Sequence, residues 1–479
     1  MGWRQGADEE RPTCAVSSGP AASSGKWWVL LCVGIGTFMA AIDASVVNAI
    51  LPVIQRAFGS TVAGIEWVMT VYLVVVSGLL LSFGRLGDLR GHKKVWVLGF
   101  VGFILGSALC GMAPSAQALV VFRAVQALGA AMVYANAPAI ITRGFPIAER
   151  GKALGLQSAM AYIGLMLGPA LGGWLTGLFS WRAVFYINVP VGLIGMLISI
   201  RFVTRDAEAR KAESFDVAGA AVFLAGLVAL LIGLDQGHAW GWASAPILGL
   251  LALSAALMAL FVRIERRSDA PLLDLGMFRQ RLFAAATVSA VLNYICLYSV
   301  LFLLPYYLLE ARGLSPARAG LMLSAQPLMV AVVTPMSGAL SDRIGSRWLG
   351  AAGMALTGLG LIVLSRLGPH SALGMLTAGL AVVGAGMGLF IAPNNNALMS
   401  SAPRHRQGVA GGVLATARNV GEVLGIGLAG AVFTTVMAHR LLHGAADISF
   451  AVDMGLLAAA ACAGLGAITS AARGAKPAR

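Results

Sequence analysis

The sequence predicts an all-α integral membrane protein with fourteen transmembrane helices, and three observations predict it. Hydrophobic residues make up 58% of the 479 residues and charged residues only 11%. Soluble domains carry about 25% charge, so this chain lacks the means to coat a water-soluble protein of its length. Apolar stretches recur fourteen times, each close to the roughly 20 residues a helix needs to cross hydrocarbon, and the mean hydropathy is +0.83. The basic residues then sort to one side of those stretches. Together these exclude a cytosolic enzyme, a nucleic-acid binder and a disordered chain.

The first apolar stretch, 27–50, follows a polar segment, 1–26, rich in Ser and Gly with charges of both signs. It is too long for the apolar core of a signal peptide and lacks a cleavage pattern, so it is expected to remain as span one behind an N-terminal tail. Spans two and three, 65–83 and 95–112, are divided by the basic loop GRLGDLRGHKK at 84–94. Spans four, five and six lie at 116–141, 153–176 and 184–203. Only short polar breaks separate three from four and five from six. Spans seven and eight, 215–234 and 245–263, follow a charged connection. Six more occupy 283–308, 318–340, 348–366, 372–397, 408–437 and 448–471.

With the N-terminus inside, 26 of the 34 Lys and Arg fall in cytoplasmic connections and tails and six in outer loops; Arg123 and Arg418 fall within spans. Positive charge marks the cytoplasmic side. An even number of spans in the cytoplasmic (inner) membrane, with both termini cytoplasmic, accounts for that ratio. The five cysteines are scattered without metal-ligand spacing. His439 and His443 are four apart but have no further ligands, so no metal site is expected. No Gly-Lys-Ser/Thr phosphate loop is present, which disfavours ATP drive.

An internal repeat divides the chain. GRLGDLRG at 84–91 and GALSDRIG at 338–345 share Gly, Asp and Gly at the same spacing, and Asp88 and Asp342 are 254 residues apart. Six spans with loops take up less than that, and spans seven and eight fill the surplus. The expected organisation is an N-terminal tail (1–26), a six-helix bundle (27–205), a two-helix insert (206–270), a second six-helix bundle (271–472) and a C-terminal tail (473–479). Paired halves are the usual construction of secondary transporters.

Ionisable groups inside spans are costly and usually face a partner or a polar cavity. Asp43 and Arg123 lie at similar depth in spans one and four, so they are expected to share a cavity, with Asp43 as proton acceptor and Arg123 tuning it. Arg418 and Glu422 stand four apart in span thirteen and can pair along one face. They are read either as a self-neutralising pair or with Glu422 as a second proton site or counter-charge for a cationic cargo. In span five, Gly164, Gly168 and Gly172 recur at spacing four with Pro169 and Gly173. Small residues so spaced allow close helix approach, and the proline bends the helix, which suits a gate near the outer face. In the 84–94 loop, Gly84 and Gly91 permit a tight turn. Asp88 suits a helix N-terminus, and Arg90 and Lys93 are candidates for added ion pairs. Such a latch closes the cytoplasmic side. Asn48, Tyr72, Tyr134, Asn136, Asn293, Tyr294, Tyr298, Gln326 and Asn394 are the polar and aromatic candidates for a cargo cavity.

These motifs also carry a resemblance. The chain resembles the major facilitator superfamily, specifically its fourteen-helix drug:proton antiporters, from about residue 27 to 437. GRLGDLRGHKK (84–94) looks like the superfamily's loop between helices two and three. RAVQALGAA (123–131) is similar to its helix-four motif, and GLMLGPALGG (164–173) to the helix-five motif of exporters. DASVVNAILP (43–52) and WRAVFYINVP (181–190) resemble motifs of the fourteen-helix branch. The resemblance implies the major facilitator fold and a coupling role for the helix-one acid and the helix-four arginine. It also implies proton-coupled export of small hydrophobic or amphipathic compounds, such as drugs and antibiotics, by alternating access. The expected partners are that cargo, protons and the bilayer. No enzyme activity, cofactor or nucleic acid is expected, and the state expected is a monomer. Two other readings remain: an exporter of an endogenous metabolite or lipid without strict proton coupling, and a non-transporting receptor or scaffold. The intramembrane charges and the repeat argue against the second.

Overall fold

Each apolar stretch forms a helix long enough to cross a membrane in the computed structural model, which describes residues 21–204, 215–241, 244–268, 271–438 and 444–473. The first six are α1 (Ala21–Phe58), α2 (Val62–Arg90), α3 (His92–Gly111), α4 (Ala116–Gly144), α5 (Arg150–Leu178) and α6 (Asn188–Phe202). The insert is α7 (Val217–Asp235) and α8 (Ala245–Glu265). The last six are α9 (Arg281–Pro305), α10 (Ala325–Ile344), α11 (Arg347–Leu364), α12 (Leu373–Ser401), α13 (Gln407–Ala438) and α14 (Ala445–Ala471). Among the described residues there is no strand.

Local chemistry sets the helix ends. Thr61 and Ser115 cap α2 and α4 by accepting from the N–H of Gly64 and Ala118, and Asp216 caps α7 through Gly219. Gly91 (φ 96°) separates α2 from α3, and Gly345 (φ 88°) separates α10 from α11. Both break the helix three residues after the repeated Asp, in a backbone region that L side chains rarely adopt. Two boundaries differ most from expectation. α2 runs through Gly84 to Arg90, so the expected 84–94 loop is mostly helix and Gly91 alone makes the turn. α1 continues eight residues past position 50, through Pro52, because the extra turns bury apolar surface: Ile54 is fully buried and Phe58 packs edge-on against Trp181, centroids 5.2 Å apart.

The two six-helix sets pack alike. α1 lies against α5 and α6, α3 against α4 and α6, and α2 against α4. In the second set α9 lies against α13 and α14, α11 against α12 and α14, and α10 against α12. Within each bundle, buried aromatic faces such as Trp96, Phe100 and Phe103 on α3 oppose outward leucines such as Leu98 and Leu105. The fold is thus two six-helix bundles plus a two-helix insert. The bundles meet along two seams, α2 with α13 and α5 with α10, while α7 carries the insert onto α2 and α13.

Candidate functional site

Asp43, midway along α1, sits at the centre of a closed hydrogen-bond network. Arg123 Nη1 donates to Asp43 Oδ2 at 2.6 Å and to Gln126 Oε1 at 2.7 Å. Gln126 Nε2 donates to Asp43 Oδ1 at 2.9 Å and to Ser107 Oγ at 2.7 Å. Asn188 Nδ2 donates to Asp43 Oδ1 at 2.8 Å. The Arg123 guanidinium lies 4.0 Å from the Tyr72 ring centroid. Asp43 and Arg123 are 1% and 0% exposed, so the pair is sealed from solvent. The expected pairing of Asp43 with Arg123 is present. Gln126, Asn188 and Ser107 were not assigned from sequence. Gln126 stands one turn from Arg123 inside RAVQALGAA and Asn188 lies inside WRAVFYINVP, so each was visible only as a polar residue within a motif.

The second constellation closes one end of the molecule, the end where the basic loops gather. Asp88 Oδ1 and Oδ2 accept from the N–H of Gly408 and Val409, each at 2.9 Å, at the start of α13. His92 Nε2 and Arg143 Nη2 stand 3.3 and 3.7 Å from the same carboxylate. Asp342 repeats the arrangement in reverse. Its Oδ1 and Oδ2 accept from the N–H of Gly151 (2.9 Å) and Lys152 (3.0 Å) at the start of α5, and Asn396 Nδ2 adds a third bond at 3.1 Å. Each bundle's aspartate therefore caps a helix of the other bundle, charge against positive helix end. Glycines make the approach possible: a β-carbon on Gly84 would collide with the Gly408 carbonyl, and one on Gly338 with the Gly151 carbonyl. Deeper in the seam, Asn419 Nδ2 donates to Ser77 Oγ at 2.6 Å. The Asp342 half of this lock appeared in the sequence only as a repeat.

Other expected gate residues sit elsewhere. Arg90 is exposed, and Lys93 Nζ donates to the Ile200 carbonyl at 2.7 Å, tying α3 to α6. On α5, Gly164, Gly168 and Gly172 press against α1 at Phe38, Ser45 and Val46, while Pro169 and Gly173 are exposed on the opposite side. The glycine face thus joins two helices of one bundle. Pro169 lacks the N–H that the Leu165 carbonyl needs, and Ser45 Oγ supplies it from α1 at 2.7 Å.

The cargo candidates divide. Tyr134, Tyr294 and Tyr298 surround Arg418 and Glu422 in the space between the bundles, and Tyr162 of α5 joins them. These residues lie 10 to 13 residues from the basic ends of α4, α5 and α9 or, for Arg418, of α13, about 15–20 Å deep, with Tyr298 and Glu422 one turn further. Arg418 lies 5.8 Å from the Tyr134 centroid. Arg418 and Glu422 close no direct ion pair with each other; each side chain is half-buried, and the Tyr298 hydroxyl stands beside both. The remaining candidates do not join this group. Tyr72 belongs to Arg123, Asn48 is exposed on α1, and Asn136 is buried at the basic end, bonded to His92 Nδ1 at 2.7 Å. Asn293 and Gln326 are buried among the helices of the second bundle, Gln326 Nε2 lying 3.3 Å from Met387 Sδ. Asn394 is bonded to the Ala286 carbonyl at 3.2 Å and to Arg473. For Asn136 and Asn394 a helix-packing hydrogen bond claims a polar group that hydropathy alone leaves unplaced. Arg473, expected in the tail, is fully buried against Phe390 beside Gly350, and burial pushes its guanidinium down to about 10. Gly350 stands 254 residues after Trp96, the same offset as between Asp88 and Asp342, so a glycine beside Arg473 takes the repeat position of a tryptophan. Among the described residues no cluster of three metal ligands occurs, and His439 and His443 lie outside them.

Comparison with known proteins places this architecture. The chain is 33% identical over 419 residues to the riboflavin transporter RibZ of Clostridioides difficile, covering 87% of this chain and 90% of that protein. It is 34% identical over 413 residues to the multidrug resistance protein Stp of Mycobacterium tuberculosis, covering 86% and 76%. It is also 34% identical over 416 residues to the tetracenomycin C resistance and export protein of Streptomyces glaucescens, covering 87% and 76%. The human organic anion transporter MFSD10 shares the fold with TM-score 0.66 at 15% identity, over 91% of this chain and 99% of that one. The Major Facilitator Superfamily profile matches residues 33–278 and 286–474. With two like-packed bundles, reciprocal helix caps between them and a charged space at mid-depth, this chain is a member of the major facilitator superfamily.

Proposed function

We propose that the protein exports small hydrophobic or amphipathic compounds across the cytoplasmic membrane in exchange for protons, by alternating access. The basic end is taken as cytoplasmic, since Lys and Arg mark that side. The observation that carries the reading is the Asp43 network. Asp43 accepts three N–H bonds, from Arg123, Gln126 and Asn188. A proton arriving on Asp43 displaces one of these donors, because a protonated carboxyl cannot accept at every site. Those donors sit on α4 and at the first residue of α6, so proton arrival shifts helices against each other. Closing of the cytoplasmic side by Asp88 and Asp342 supplies the other half of an alternating cycle. Relatives named for multidrug resistance, tetracenomycin export and puromycin resistance support drug-like cargo.

The energetics allow this. One proton moving down 100 mV releases about 2.3 kcal/mol, and each pH unit adds about 1.36 kcal/mol, enough to sustain a cargo gradient of a few hundredfold. The test uses everted vesicles, acidic inside, with a lumenal pH dye and a panel of lipophilic cations and antibiotics. Dequenching for some compounds that disappears in Asp43→Asn, with equal protein in the membrane, is the expected result. Efflux that stays proton-linked in Asp43→Asn refutes the assignment. A second reading, transport of a metabolite, is favoured by the relative named for riboflavin; riboflavin in the same panel decides it.

A further inference from the structure

Arg418 and Glu422 contrast with the network around Asp43. Asp43 and Arg123 are sealed and paired with each other, and Asp43 takes two further bonds from the neutral amides of Gln126 on α4 and Asn188 on α6. Arg418 and Glu422 are half-buried, lie on the wall of the space between the bundles, and close no ion pair with a described residue. They are one turn apart on α13, about 6 Å along its axis. Tyr134 and Tyr162 from the first bundle and Tyr294 and Tyr298 from the second surround them. Tyr298 stands beside both charges.

Two open charges of opposite sign select by chemistry. A neutral apolar molecule has to strip water from both and returns nothing for it. A simple cation meets Glu422 but faces Arg418, and a simple anion meets the reverse. A guanidinium matches a carboxylate or acidic phenol through paired N–H donors, and a carboxylate matches a protonated amine. Tyrosine faces add stacking to a flat ring and cation–π attraction to the amine. Because the tyrosines come from both bundles, a molecule held here touches both.

Building on the export reading, we propose that this site takes aromatic molecules carrying both an acidic and a basic group, the acid at Arg418 and the amine at Glu422, with the ring among the four tyrosines. Such a molecule meets both charges at once, and its preference over singly charged analogues is the mark of the site.

The test is equilibrium binding by fluorescence polarisation to the purified, full-length protein in detergent, with three dyes on one xanthene ring. Unesterified rhodamine carries both charges, its methyl ester keeps only the cation, and fluorescein carries only acidic groups, its carboxylate and a xanthene phenol. Unesterified rhodamine should bind at least about tenfold more tightly than either, which is about 1.4 kcal/mol. Arg418→Gln should bring it to the affinity of its ester, and Glu422→Gln should erase its advantage over fluorescein. Equal affinity for the three dyes, a reversed order, or no binding of unesterified rhodamine overturns the inference, and this comparison within the parent protein needs no variant to fold. Binding requires neither a gradient nor turnover. A missing preference with proton-linked efflux intact in vesicles therefore refutes the site alone, and an intact preference without proton-linked efflux refutes the export reading alone.

Discussion

Replacing Asp88 by Asn isolates the charge of one inter-bundle cap while keeping its shape. Asp88 takes two backbone N–H bonds at 2.9 Å from the first turn of α13. Hydrogen bonds to a charged group contribute about 1.5–3 kcal/mol each, and a negative charge at a helix N-terminus adds about 0.3–1 kcal/mol. An amide retains one acceptor oxygen and loses the charge and the second acceptor, so the closed arrangement of the basic end weakens by about 2 kcal/mol. At about 1.4 kcal/mol per tenfold, the open-to-closed ratio rises about 30-fold. Arg90 and Arg343 are exposed, on opposite bundles, near the two seams. Spin labels at cysteines placed there report the separation by double electron–electron resonance. The buried native cysteines 32, 110 and 296 are shielded from labelling, and Cys14 and Cys462 are replaced by Ala. Asp88→Asn should populate a longer distance, Asp342→Asn should do so to a similar extent, and the double variant should shift further, since the caps share no partner. An unchanged distance distribution in Asp88→Asn and Asp342→Asn refutes the idea that these carboxylates hold the bundles together.

Further outcomes follow from other contacts. Ser45→Ala leaves the Leu165 carbonyl without a donor in the helix broken by Pro169. The thermal midpoint should fall by an amount equivalent to about 1–2 kcal/mol, and an unchanged midpoint shows that another donor replaces the serine. Arg473 tests pH dependence. Burial lowers its folded-state value from 12.5 to about 10, so the charged form costs the folded chain stability below about pH 10. That cost, on the order of 3 kcal/mol, is relieved as pH rises from about 10 toward 12.5. The midpoint of the parent should therefore rise relative to that of Arg473→Gln between about pH 9 and 11. A constant difference refutes the charged, unpaired arginine.

The parts of this molecule legible in its sequence are those governed by one helix at a time. Hydropathy finds every span because lipid demands about 20 apolar residues from each helix independently. Asp43, Arg123 and Asp88 stand out because charge inside or beside a span is costly. Partners across helices are less visible. Gln126 and Asn188 are neutral, and only the packing of α1, α4 and α6 brings them to Asp43. Asp342 is found by its repeat, but its partners Gly151 and Lys152 are backbone N–H groups, which no residue type advertises. Asn293 and Gln326 lie among the helices of the second bundle, away from the tyrosine group, because polarity inside a span looks the same whichever neighbours it meets. Arg473 was placed in the tail because its burial depends on a gap left by a glycine far away in the chain.

The insert makes the two seams unequal. α7 lies along α2 and α13, so it roofs the edge of the molecule where Asp88 caps α13; among the described residues no helix pair lies over α5 and α10 in the same way. There the outer surface is bare apolar side chain, including Val332, Met336, Leu340 and Ile344. Lipid therefore reaches the α5–α10 seam directly and is held off the α2–α13 seam. The two extra helices make a nearly symmetric pair of bundles lopsided in the plane of the membrane.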